Sequence, residues 1–161
     1  MTGNMVNSIF FIEALALACI FILSFYEFLG VYTARLKKLT KNVSRMVTHA
    51  AICLITLILG VHSFSWVSYI RQLDTQKWID ATFINWPFLL TSVTMGFLLV
   101  YEFLGIHYAR LHKLTKNVSR LITHFIMLLL FCLLVVTSVM KWNIYVEKLK
   151  EPLVIQSSTA K

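Results

Sequence analysis

Four long apolar runs, at 8–33, 46–69, 86–108 and 121–145, alternate with short polar stretches along the chain. Each covers about 20 residues or more, enough for a helix to cross a hydrocarbon layer of about 30 Å. The runs are continuously apolar. A barrel strand would instead alternate every second residue over about ten, so the pattern predicts helices. Pro87 falls at the start of the third run, where a first-turn N–H has no helical partner, so it predicts no kink.

Composition strengthens this reading: 58% of the residues are hydrophobic and 14% charged, against about 45–50% apolar in a soluble domain. One compact core could not hide four such runs, and lipid can. The expected fold is therefore an all-α integral membrane protein with four transmembrane helices. Residues 1–161 form a single membrane domain, and the polar tail at 146–161 is too short to fold alone. A cleaved signal peptide is not expected at the first run. No Lys or Arg precedes it, Glu13 lies inside it, and it exceeds the length of a signal core. Cys19, Cys53 and Cys132 are isolated within the runs and read as small apolar packers.

The pattern repeats. Residues 26–49 read YEFLGVYTARLKKLTKNVSRMVTH and residues 101–124 read YEFLGIHYARLHKLTKNVSRLITH, identical at 18 of 24 positions. The chain thus divides into two tandem helical hairpins, at about 8–70 and about 85–145. Two spans separate the copies, which makes them parallel repeats that would form a pseudo-two-fold four-helix bundle. Gly30 and Gly105, at matched positions, are expected to allow a close approach of helices. Leu36, Leu39, Val43 and Met46 keep helical spacing through the first loop, so the first helix is expected to run beyond the bilayer into a tight hairpin. Asn42 or Ser44 would start the returning helix.

Charge then sets the orientation. Nine of the fifteen Lys and Arg residues lie in two loops that hold no acid: Arg35, Lys37, Lys38, Lys41 and Arg45, then Arg110, Lys113, Lys116 and Arg120. The positive-inside rule places both loops in the cytoplasm, or the mitochondrial matrix, and both termini on the other side. A bacterial inner membrane, or a mitochondrial inner one, is the expected location. The connector between the second and third runs balances Arg71 and Lys77 against Asp74 and Asp80. Trp66, Trp78, Trp86 and Trp142 would form an aromatic belt at that opposite interface. The sequons at Asn42 and Asn117 sit within the basic loops and read as chance. Membrane lipids, through anionic headgroups, are the natural partners of these cations, so a pI near 9.6 requires no nucleic acid.

Two matched pairs of residues could carry chemistry. Glu27 and Glu102 are intramembrane acids, each eight residues before an arginine and so about 12 Å deeper. Burying such a carboxylate costs about 2.5–3.5 kcal/mol on insertion scales, so both should face protein or a water-filled cavity. They could serve small-solute or proton transport, or simply fix helix packing by bonding a neighbour.

His49 and His124 lie four residues after Arg45 and Arg120, about 6 Å inside them. Facing imidazoles could ligate a b-type haem or belong to a redox metal site. Taken from the arginines, the acids and the histidines differ in depth by about 6 Å, which argues against one shared metal shell. No Glu-x-x-His pair supplies a ferritin-like dimetal site either. His62 lies about 220° around the helix from His49, which leaves at most one haem.

No nucleotide-binding, hydrolase or zinc-protease motif is found in the sequence, which lowers the expectation of an enzyme. The first functional reading is a non-catalytic membrane subunit. Its spans and basic hairpins would dock other subunits of a complex, copies of itself in a homo-oligomer, or anionic lipid. Transport through Glu27 and Glu102 is the second reading, and a haem or metal redox subunit the third.

Overall fold

The computed structural model describes residues 3–39, 43–73, 81–114 and 118–150, with side chains placed at 8–39, 43–65, 88–114 and 118–144. Four helices follow in order: α1 (Gly3–Leu36), α2 (Val43–Leu73), α3 (Ala81–Leu111) and α4 (Val118–Lys150). Each contains a segment long and apolar enough to cross a membrane: Ser8–Leu36, Val43–Ser65, Phe88–Leu111 and Val118–Ile144. All four predicted runs are therefore helical. Every helix is longer than its apolar run, because backbone hydrogen bonding continues into the polar flanks where side-chain hydropathy stops.

Two expectations change with those longer bounds. Because α3 begins at Ala81, Pro87 stands in the second helical turn rather than the first, where a proline removes one i to i−4 hydrogen bond. The first residues of the expected polar tail are helical, since α4 reaches Lys150. Lys41, Asn42, Lys116, Asn117, Asp74, Lys77, Trp78 and Asp80 lie outside the described residues. The side chains of Trp66, Arg71 and Trp86 do as well.

The helices run up, down, up and down in a ring. Each packs on its sequence neighbours, and α4 closes against α1. The α1–α2 contact is the most extensive and the α3–α4 contact the least. Ala16, Leu17, Ile20, Ile52, Leu59, Met95, Leu99, Met127 and Leu134 form the central core. Between α3 and α4 lies a lateral cavity of about 900 Å³, lined chiefly by apolar side chains such as Phe88, Phe97 and Phe131. At Gly96 an added Cβ would stand 2.9 Å from the Phe131 ring, so glycine permits that contact. Gly30 and Gly105 do not play the role expected of them. A Cβ at either would meet nothing within 4 Å, and both lie on the outer surface.

The described parts of the two basic turns, residues 37–39 and 112–114, have the same structure. Leu39 N–H donates to Ala34 O (2.8 Å) and Lys38 N–H to Arg35 O (2.9 Å); Leu114 and Lys113 do likewise to Ala109 (2.8 Å) and Arg110 (3.0 Å). These crossed bonds are a Schellman cap, which satisfies the last carbonyls of α1 and α3. Helical spacing does not run on into the turn: α1 stops at Leu36, and Leu39 is 76% exposed. The reversing residues are lysines at positive φ, Lys38 at 57° and Lys113 at 56°. A side chain in this left-handed region costs about 1 kcal/mol or more, which glycine avoids. Lys38→Gly should therefore exceed Lys38→Ala in unfolding free energy by about 1 kcal/mol, both having lost the same cation. The same difference is expected at Lys113. Denaturation in mixed micelles measures it, and equal stabilities at both sites would show that the cap is unstrained.

Candidate functional site

Helix geometry brings the matched residues together. Glu27 stands nine residues before the end of α1, while Arg45 and Arg120 are the third residues of α2 and α4. Since α1 packs against both returning helices, their first turns flank Glu27. Arg45 Nη2 donates to Glu27 Oε2 at 2.8 Å and Arg120 Nε donates to the same oxygen at 3.2 Å. The first turns of α2 and α4 hold no acid of their own. Glu27 supplies from a neighbouring helix the negative charge that helix N-termini favour.

Glu102, on α3, occupies the opposite side of the ring. Its Oε2 lies 3.7 Å from Arg45 Nε, the distance of an ion pair rather than of a hydrogen bond, and 3.9 Å from His49 Nε2. Glu27 and Glu102 are therefore at matched sequence positions but not equivalent in contacts. Both are buried, at 5% and 6% exposure.

His49 and His124 meet across the bundle axis, with ring centroids 5.4 Å apart and planes at 61°. Both are fully buried. His124 Nδ1 is 2.7 Å from Arg120 O, the carbonyl one turn back. A carbonyl can only accept, so Nδ1 carries the proton and Nε2 the lone pair. His49 Nδ1 is 3.5 Å from Ser24 Oγ on α1. The Nε2 atoms of both rings are buried without a hydrogen-bond partner, an arrangement that needs an explanation.

These contacts correct the depth argument drawn from the sequence. His49, His124 and Glu102 each offer a ligand atom, and the three atoms lie within 4.8 Å of one another. Counting depth from Arg35 on α1 and from Arg45 on α2 requires the two arginines to share one level. Arg45, however, reaches Glu27 itself, so the two arginines do not mark a common level.

Arg45 and Arg120, expected among the residues that face headgroups, instead turn inward, with side chains 14% and 30% exposed. Arg35, Lys37, Lys38, Arg110 and Lys113 do lie on the surface, beside exposed Leu36, Leu39, Leu111 and Leu114. His107 is exposed on α3. His112 lies in the second turn, its ring 4.0 Å from that of Tyr108.

A second polar cluster occupies the other end of the bundle. Glu13 of α1 is 1% exposed, and Lys141 of α4 is 4% exposed. Lys141 Nζ donates to both Glu13 oxygens, at 2.8 and 2.7 Å, and Ser63 Oγ of α2 donates to Oε2 at 2.6 Å. The ammonium also sits 4.8 Å from the centre of the Phe88 ring, within cation–π range. Sequence reasoning missed this cluster because neither charge is duplicated. Glu13 aligns with Phe88 in the second copy, and Lys141 with Trp66 in the first. The available signal was an unmatched acid in the first run and an unmatched base in the fourth, each near the same end.

The described span between the two clusters is mainly apolar. Glu13 and Glu27 are fourteen residues apart on α1, about 21 Å. The buried side chains between them include Ala16, Leu17 and Ile20, packed against Ile52, Leu59 and Met95. The Thr56 hydroxyl at this level turns back on its own helix, donating to Ile52 O at 2.6 Å.

No family model, curated protein or solved structure matches this chain.

Proposed function

We propose that the chain is a non-catalytic integral membrane subunit, a pseudo-two-fold bundle of two tandem hairpins that engages anionic lipid through both basic turns. Copies of itself or other subunits would dock on its spans. The observation that carries this reading is how the charges are divided. Ionisable groups within the bundle are compensated by one another, whereas Arg35, Lys37, Lys38, Arg110 and Lys113 point outward. Exposed leucines flank those cations, so each turn can rest at a headgroup boundary with its apolar tips inserted and its charges on phosphates.

Buried positions of the two copies support the pseudo-symmetry. Ile20 and Met95, Ile52 and Met127, Leu59 and Leu134, and Val31 and Ile106 are all buried, and each pair is 75 residues apart. The loop charges favour a cytoplasmic or matrix location for the basic turns, in a bacterial or mitochondrial inner membrane. A proton-conducting role gains no support from the apolar layer between the two polar clusters, because a moving proton needs a chain of water or hydroxyls.

The test is native mass spectrometry of the full chain released from bilayers of mixed phosphatidylglycerol and phosphatidylcholine. Retained lipid should be enriched in phosphatidylglycerol. The variant Lys37→Gln/Lys38→Gln/Lys113→Gln should lose most of that enrichment, since each cation contributes about 1 kcal/mol. Identical lipid retention by the two proteins would defeat the proposal. So would labelling of Lys38 and Lys113 by an impermeant amine reagent from opposite sides of sealed vesicles.

A further inference from the structure

We infer that His49, His124 and Glu102 form a binding site for a divalent transition metal of the zinc class, at the axis of the bundle. Three observations converge on it. The donor set is two imidazoles and a carboxylate, the ligand types that zinc and its neighbours take when three protein groups leave a fourth position open. It is the one group of three or more metal-ligating side chains found among the described residues. Both imidazole Nε2 atoms are buried and lack a hydrogen-bond partner, while the His124 Nδ1 proton is held by Arg120 O at 2.7 Å.

That last contact is what a metal-ligating histidine requires. A second partner on the far nitrogen fixes the tautomer and aims the lone pair. In His49 the Ser24 hydroxyl at 3.5 Å is placed to do the same. Neither ring then needs to lose a proton to bind.

The site needs only modest closure. Ligand atoms of a tetrahedral centre with bonds of 2.0–2.2 Å stand about 3.3 Å apart, against a spread within 4.8 Å here. Rotation of the Glu102 side chain and a tilt of the rings cover about 1.5 Å without movement of the backbone. Helices fix the three Cα positions, so the ligands are pre-arranged rather than gathered from a loop.

Charge is the main objection, because Arg45 stands 3.7 Å from Glu102. The arrangement accommodates it. Arg45 has a shorter bond to Glu27, at 2.8 Å, and can keep that partner when Glu102 turns to the ion. Glu102 then supplies one negative charge to the ion, and a hydroxide or other anion at the open fourth position can supply a second. Arg120, the more exposed arginine at 30%, stays on Glu27 at 3.2 Å, away from the Glu102 carboxylate.

The experiment uses the full chain in detergent, stripped of metal and titrated with Co²⁺, whose visible absorption reports tetrahedral coordination. One cobalt per chain is expected, with the colour lost on adding Zn²⁺. His49→Gln, His124→Gln and Glu102→Gln should each weaken binding by about 100-fold or more, since outer partners alone change affinity by about 10–100-fold. His107→Gln, on the outer surface, should bind as the unaltered chain does. The absence of stoichiometric cobalt binding would overturn the inference, and so would unchanged binding in the histidine variants. Circular dichroism and elution volume show whether each variant is folded. If an imidazole variant fails that check, Glu102→Gln decides, because it keeps the shape of the side chain and removes only its charge; unchanged affinity there refutes the site.

Discussion

Replacing Lys141 with methionine is expected to remove about 3–5 kcal/mol of stability, the usual cost of stripping one partner from a buried ion pair. The change leaves the volume of the side chain nearly intact but deprives Glu13, 1% exposed, of its counter-ion. Ser63 would remain as a donor at 2.6 Å, and one hydroxyl does not offset a carboxylate buried among apolar side chains. The cation–π contact with Phe88 would go as well, a loss of about 1–2 kcal/mol when desolvated.

The double variant Glu13→Gln/Lys141→Met should recover most of the loss, because the glutamine amide can still accept from Ser63 and no charge stays behind. Equilibrium unfolding in mixed micelles gives both numbers. A single variant that loses less than about 1 kcal/mol, or a double variant no better than the single, would contradict the geometry. The pair joins α1 to α4, the first helix to the last, so its loss should also loosen the closure of the ring.

The helices and their order were legible in the sequence because hydropathy is a property of long segments, and α1 to α4 each average out local exceptions. Duplication then pointed to Glu27, Glu102, His49 and His124 through identity at matched positions. The same emphasis on matched residues concealed Glu13, Lys141 and Ser24, whose counterparts are Phe88, Trp66 and Leu99. Their roles depend on which helices become neighbours, and periodicity along one helix does not contain that. Gly30 and Gly105 show the limit from the other side. Both are duplicated, yet both face outward, whereas the glycine at a close contact is Gly96, opposite Phe131. Depth estimates failed for a related reason. They measured along single helices, while the separation of Glu102 and His49 depends on the offset between α3 and α2 and on how far each side chain reaches.

Unequal effects at the two duplicated acids provide the sharpest test of that offset. Sequence identity alone predicts that Glu27→Gln and Glu102→Gln are interchangeable. The contacts predict otherwise: Glu27 takes hydrogen bonds from Arg45 and Arg120 at 2.8 and 3.2 Å, whereas Glu102 has Arg45 no nearer than 3.7 Å. Glu27→Gln removes the shared counter-ion of two guanidinium groups, so about 3–5 kcal/mol should be lost. Glu102→Gln weakens only longer contacts, to Arg45 and His49, and leaves both arginines on Glu27, so its cost should be smaller by about 2 kcal/mol. Adding Arg120→Gln to Glu27→Gln should recover part of the larger loss, since one of the two guanidinium charges that Glu27 balances is removed with it. Denaturation of the four proteins in the same micelles measures the difference. Equal costs for the two acids would mean that the arginines divide evenly between them, one to each repeat, and that the crossing of Arg120 from α4 to α1 is not what holds this end of the bundle.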